Sequence, residues 1–85
     1  MEIRWNKLKS KRLKQTRGVS FEEILKTQWV DRRPHPARKD QELFLFEHQG
    51  YIWAVPFMTD EKGFFLKTLY RSRKFTKLYH RGEWG

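Results

Sequence analysis

The pattern of apolar and polar positions is clearest in the middle of the chain. Glu42–Glu47 (ELFLFE) and Tyr51–Phe57 (YIWAVPF) read as strands. His48-Gln49-Gly50 between them reads as a three-residue hairpin loop, with Gly where positive φ is wanted. Thr59–Gly63 (TDEKG) is a turn signal, and Phe64–Arg71 (FFLKTLYR) is a further strand. Phe64, Leu66, Thr68 and Tyr70 share one face of it, and Phe65, Lys67, Leu69 and Arg71 the other. Pro56 marks the end or an edge of its strand.

In the first half, Glu2–Trp5 (EIRW) is a short first strand. Asn6 is a good N-cap for a polar helix over 7–17, and Gly18 stops it. Ser20 and Glu23 have capping-box spacing, and Val19 and Ile24 can form the staple of a second helix ending near Gln28. Its inward face is Phe21, Ile24 and Leu25. Residues 30–41 (VDRRPHPARKDQ), with Pro34 and Pro36, read as a loop. Ser72 caps a final helix, Arg73 to His80, whose Phe75, Leu78 and Tyr79 dock on the sheet. The order β-α-α-β-β-β-α predicts a small α+β domain, an antiparallel sheet of about four strands with helices mainly on one side.

Composition narrows the class. Residues 1–85 make one domain, and the chain contains no Cys, so disulfides and Cys-ligated metals are excluded. No apolar run approaches the ~20 residues that cross a bilayer. Four Trp, three Tyr and seven Phe supply a small core. Trp53, Phe44, Phe46 and Phe57 are placed there. The expectation is a soluble cytoplasmic domain.

Net charge is +9, and its placement matters more than its sum. Residues 1–17 carry Arg4, Lys7, Lys9, Lys11, Arg12, Lys14 and Arg17 against the single acid Glu2. Residues 64–82 carry Lys67, Arg71, Arg73, Lys74, Lys77 and Arg81 with no acid. Such blocks attract a polyanion: RNA, DNA or an acidic protein.

His35, His48 and His80 lack the spacing of metal ligands, and no phosphate loop or nucleophile elbow is present. The expectation is therefore no metal and no cofactor. What remains is the C-terminal set Lys67, Arg71, Arg73, Lys74, Lys77, Tyr79, His80 and Arg81. Its types suit metal-free RNA cleavage, in which a 2′-OH attacks the adjacent phosphate. Arg and Lys stabilise the phosphorane, and His, Tyr or Lys moves protons. The same set also describes a plain phosphate-binding surface. Tyr79 is equally a core residue with its hydroxyl at the rim, and His80 a surface residue. Arg71, Arg73 and Lys74 are the strongest candidates, at a strand-to-helix junction where Ser72 also faces an anion.

Three runs carry a family resemblance: Val55-Pro56-Phe57, Phe65-Leu66-Lys67-Thr68-Leu69 and Ser72-Arg73-Lys74-Phe75-Thr76-Lys77-Leu78-Tyr79. With Ile3, Trp5, Asn6 and Arg17-Gly18-Val19-Ser20-Phe21-Glu22-Glu23, they resemble BrnT-type toxins of bacterial type II toxin–antitoxin pairs. The resemblance covers nearly the whole chain apart from residues 29–41. It implies a RelE/ParE-like fold and cleavage of RNA, ribosome-associated RNA included, that stalls translation. It also implies a cognate antitoxin as partner, which the cationic face of the chain predicts to be acidic where it docks. Lys67, Thr68, Ser72, Arg73, Lys74, Thr76, Lys77 and Tyr79 are the matching positions.

The functional expectation is then a metal-independent endoribonuclease toxin. Arg73, Lys74 and Arg71 bind and stabilise the phosphate, Lys67 or Lys77 assists, and Tyr79 or His80 handles protons. Lys77, Arg81, Ser72, Lys7, Lys11 and Lys14 complete the nucleic-acid contact. Alternatives are a non-catalytic nucleic-acid-binding domain and a ParE-like toxin that acts on gyrase.

Overall fold

The computed structural model describes residues 2–83. Strand β1 (Glu2–Arg4) leads into helix α1 (Lys7–Arg17) and a single helical turn, α2 (Phe21–Ile24). Strands β2 (Gln28–Pro34), β3 (Glu42–His48), β4 (Tyr51–Asp60), β5 (Gly63–Leu66) and β6 (Tyr70–Arg71) follow, then helix α3 (Arg73–His80). The sheet runs β1-β5-β4-β3-β2, with β6 on the β5 side of β4. All pairings are antiparallel except β1 with β5. The α+β class holds, but the sheet is mixed and has six strands among the described residues rather than about four. No helix among the described residues is long and apolar enough to cross a membrane.

Helices cover both faces of the sheet, which corrects the one-sided arrangement. On the first face α1 and α2 place Leu13, Phe21 and Ile24 against Phe46, Trp53, Val55, Phe57, Leu66 and Leu69. On the second, Phe75 and Tyr79 of α3 pack against Leu43, Leu45, Ile52 and Ala54. Strands buried on both sides need apolar residues at every position, hence the runs LFLF and IWAV. Phe44 stacks on Phe57 at 3.8 Å between centroids.

The helix signals hold at both ends of α1. Asn6 accepts the Lys9 N–H at 3.0 Å, and Gly18 adopts φ 81°. Ser20 and Glu23 form the reciprocal capping box. α2 stops at Ile24 rather than near Gln28, because a Thr27 side-chain bond to the Ile24 carbonyl closes a turn there. Ser10 fastens the two helices: its buried hydroxyl donates to Glu22 and accepts the Phe21 N–H at 3.0 Å. That hydroxyl holds the Glu22 carboxyl below the ordinary carboxylate range. Ser10→Ala leaves a buried N–H without its acceptor and is expected to cost about 1–3 kcal/mol. A lower urea midpoint at unchanged slope is the readout.

Strand β2 occupies the start of the expected 30–41 loop. Its charges are paired rather than solvated singly. Arg32 forks onto Glu42 with two bonds of 2.7 Å and lies 5.3 Å from the Phe57 and Phe64 ring centroids. Asp31 accepts from Arg33 at 2.9 Å. β2 is an edge strand, and Pro34 ends it, where a missing N–H does no harm.

Pro56 sits inside β4, opposite Leu43, not at a strand end. The Lys67 N–H bonds the Pro56 carbonyl at 2.8 Å, so the main-chain polar groups of Pro56 face away from β3. Proline cannot donate on that side, and the neighbouring strand breaks there. The expected strand 64–71 accordingly splits into β5 and β6, with 67–69 irregular. The break also shifts the alternation: Leu66 and Leu69 face the first core, and Tyr70 the second.

The β3–β4 loop is two residues, because His48 pairs with Tyr51. Gln49 at φ 53° and Gly50 at φ 81° give the doubly positive turn that matches strand twist. β4 then runs on to Asp60, so the following turn shrinks to Glu61-Lys62.

Three ion pairs tie strands or helices together, and each holds its carboxyl low. Hydrogen bonds from Arg32 to Glu42, from Arg4 to Asp60 and from Lys14 to Glu23 are the leading causes. All three carboxyls are more acidic folded than unfolded. Their contribution is complete above the unfolded value, about 4, and fades as pH falls through the lowered folded values. The melting midpoint is expected to be level from about pH 7 to about pH 5 and to drop below about pH 4, modestly because the pairs are solvent-screened. Glu42→Gln should shrink that drop in thermal melts taken across pH.

Candidate functional site

Ile52 anchors the start of α3 to the outer edge of β4. Its carbonyl accepts the Ser72 N–H at 2.8 Å, and its N–H donates to the Thr76 hydroxyl at 2.9 Å. Thr76 in turn donates to the Ser72 carbonyl at 2.6 Å. The Ser72 hydroxyl caps the helix by accepting the Phe75 N–H at 3.1 Å. These bonds set the β6–α3 corner, and Arg71 and Arg73 flank Ser72 within it.

The corner opens as a cleft of about 410 Å³ lined by Tyr51, Arg71, Ser72, Arg73, Thr76 and Lys77. Four of the expected residues, Arg71, Ser72, Arg73 and Lys77, are thus brought together. None of the lining residues is an acid. Tyr51 is 47% exposed, and the Arg71 guanidinium stands 5.0 Å from its ring centroid. That cation–π contact holds the guanidinium beside the cleft.

The other expected residues lie elsewhere. Lys74 is on the neighbouring flank of α3, its Nζ 5.8 Å from the Phe75 ring centroid. Arg81 caps the far end of α3 through its N–H to the Lys77 carbonyl. Tyr79 packs on the second core and its hydroxyl donates to Glu47 at 3.3 Å. His80 Nε2 lies 2.8 Å from the Gly50 carbonyl, so the ring hydrogen is on Nε2 and the ring pins α3 to the β3–β4 turn. Lys67 belongs to a separate cleft at the break between β5 and β6.

In the N-terminal block, Lys7 is exposed on α1. Lys11 and Lys14 line the α1–α2 junction, where Lys14 is paired with Glu23 at 2.9 Å. Two residues of this block reach the C-terminal one among the described residues: Lys9, which shares the Lys67 cleft, and Arg17. Arg17 donates to the Leu69 carbonyl and lines a depression with Trp53 and Arg71. The Trp53 Nε1–H is buried with no partner among the described residues.

No family model, no curated protein and no solved structure matches this chain. Among the described residues no cluster of His, Asp and Glu could hold a metal ion. Arg71, Arg73 and Lys77 can surround one phosphate and stabilise added negative charge on it. The hydroxyls of Tyr51 and Thr76 are the neutral groups beside them.

Tyr51 and Arg17 are not among the candidate site residues of the sequence, and Thr76 enters there only as a position of the family resemblance. A signal existed for Tyr51: alternation from Trp53 places both on one face of β4, and the tight turn leaves Tyr51 exposed. Arg17 carries no such signal, because it acts across the fold through the Leu69 carbonyl.

Proposed function

We propose that this chain is the toxin of a type II toxin–antitoxin pair of the BrnT type, with a RelE/ParE-like fold and a metal-independent ribonuclease activity. The observation that carries the reading is the acid-free cleft in which Arg71, Arg73 and Lys77 converge beside Tyr51 and Thr76. The motif resemblance covers the same segment. Arg71 and Arg73 bind the scissile phosphate and stabilise the phosphorane, and Lys77 adds charge at the far side. Tyr51 is the hydroxyl placed for proton transfer at the cleft mouth. Its site of action is the cytoplasm, and its partner is an antitoxin that presents an acidic surface to the cationic edge.

A specific observation favours a second reading, a nucleic-acid-binding module without catalysis. Tyr79 and His80, the expected proton carriers, are held by Glu47 and Gly50, and the cleft lining contains no His.

The test is expression of the chain in bacteria without a partner, together with incubation of the purified protein with RNA in the presence of a chelator. Growth arrest with RNA cut in chelator supports the ribonuclease. Steeply salt-dependent RNA binding without cleavage supports the binding module, and neither effect removes both readings.

A further inference from the structure

Lys67 is displaced from the Arg71 cleft by the break that Pro56 imposes, and it does not stand alone. It meets Lys9 of α1 and His35 and Arg38 of the β2–β3 loop in a second cleft of about 270 Å³, which Thr68 and Tyr70 complete. None of the residues lining it is an acid, and Lys9, Arg38 and Lys67 make no ion pair among the described residues. The histidine is preset as a donor. Its Nδ1 accepts the Ala37 and Arg38 N–H groups, each at 3.0 Å, which leaves the ring hydrogen on Nε2.

We propose that Lys9, Arg38, Lys67 and the Nε2–H of His35 form a second anion site that binds a phosphate diester of single-stranded RNA. Lys9, Arg38 and Lys67, from three separate segments, line one small concavity, with the Lys67 ammonium 5.7 Å from the Phe65 ring centroid; such a set of donors suits a tetrahedral anion with several acceptor oxygens. The position of the site along the edge of β4 fits a strand rather than a lone ion. Lys67 is bonded to Pro56, whereas Arg71 lies opposite Trp53, three residues earlier. That separation is about 10 Å along the strand, too far for one phosphate and within reach of a short oligonucleotide. Between the two clefts lies the depression lined by Arg17, Tyr70 and Arg71, again without an acid. Tyr70 lines both this depression and the second cleft, and Arg71 both the depression and the first. The three make one cationic track.

The inference rests on the nucleic-acid reading of the Arg71 cleft, and its test separates the two. Fluorescence anisotropy is measured across a salt series with 2′-O-methyl oligouridylates, which resist cleavage, as a dinucleotide and an octanucleotide. Arg38→Gln/Lys67→Gln keeps both side-chain stems. For the octanucleotide its slope of log K against log salt is expected to be shallower than wild type by about 1.4, with dinucleotide binding unchanged. Arg38→Gln alone, at an exposed loop position, is expected to lose about half of that, ~0.7. Octanucleotide slopes equal to wild type in both variants overturn the second site and leave the first standing. A wild type that binds neither oligonucleotide overturns both. Wild-type binding of polyglutamate as tight as that of the octanucleotide, lost in parallel in the variants, assigns the cleft to an acidic protein and overturns the RNA assignment.

Discussion

Gly63→Ala is expected to destabilise the fold by about 3 kcal/mol or more and to loosen β1 from the sheet. Gly63 opens β5 at φ 142°, a conformation that side chains avoid. It also pairs with Glu2 in the parallel contact between β1 and β5. A Cβ at this position would lie 2.2 Å from the Glu2 carbonyl oxygen and 2.6 Å from its nitrogen. Those atoms are backbone and can move only if β1 moves. The loss is large for a chain whose whole stability is roughly 4–13 kcal/mol by length. Gly50→Ala is the informative comparison. Its φ is also positive, at 81°, but nothing lies within 4 Å of the added methyl. It should cost only about 1 kcal/mol, the conformational part alone. Urea unfolding ranks the two variants, and hydrogen exchange at Ile3 and Arg4 reports β1 directly. Equal losses in both would mean that the β1 contact contributes little.

What the sequence revealed of this fold is what short-range chemistry controls. The Asn6 and Gly18 caps, the Ser20–Glu23 box and the Ser72 start of α3 each depend on residues within a few positions of one another. Features set by distant partners were not legible. The strand in 28–34 was hidden by its charges and by Pro34, because Arg32 finds Glu42 only once β2 and β3 pair. The split of the last strand depends on Pro56, which lies more than ten residues upstream of the break. Placing α3 on the opposite face from α1 required that β3 and β4 be buried on both sides, a property visible in LFLF and IWAV only in retrospect. The site divides in the same way. Arg71, Ser72, Arg73 and Lys77 are close in sequence, and the corner keeps them together. Tyr79 and His80 share the helix but point at Glu47 and Gly50, since Phe75 and Tyr79 must face the second core. Lys67 leaves the group at the Pro56 break, and Arg17 joins through the Leu69 carbonyl.

The largest functional effect is expected from Arg71→Ala/Arg73→Ala. If the cleft cleaves RNA, loss of both guanidinium groups removes the charges that stabilise the phosphorane, and the cleavage rate should fall by about a hundredfold or more. Both side chains are exposed, so stability should change by no more than about 0.5 kcal/mol. A melt identical to wild type thus makes lost activity interpretable. Lys74→Ala provides the contrast, because Lys74 stands against Phe75 on the flank outside the cleft. It should weaken RNA binding through general charge, with a salt slope shallower by about 0.7, while bound RNA is still cut at close to the wild-type rate. Arg71→Lys tests geometry against charge: lysine keeps the cation but not the planar fork beside Tyr51. A rate near wild type in Arg71→Lys means that the field of the cleft suffices. A rate near that of the alanine pair means that the oriented guanidinium is required. Cleavage undiminished in the alanine pair would exclude this corner as the place where the phosphate reacts, since no other residue lining the cleft except Lys77 carries positive charge.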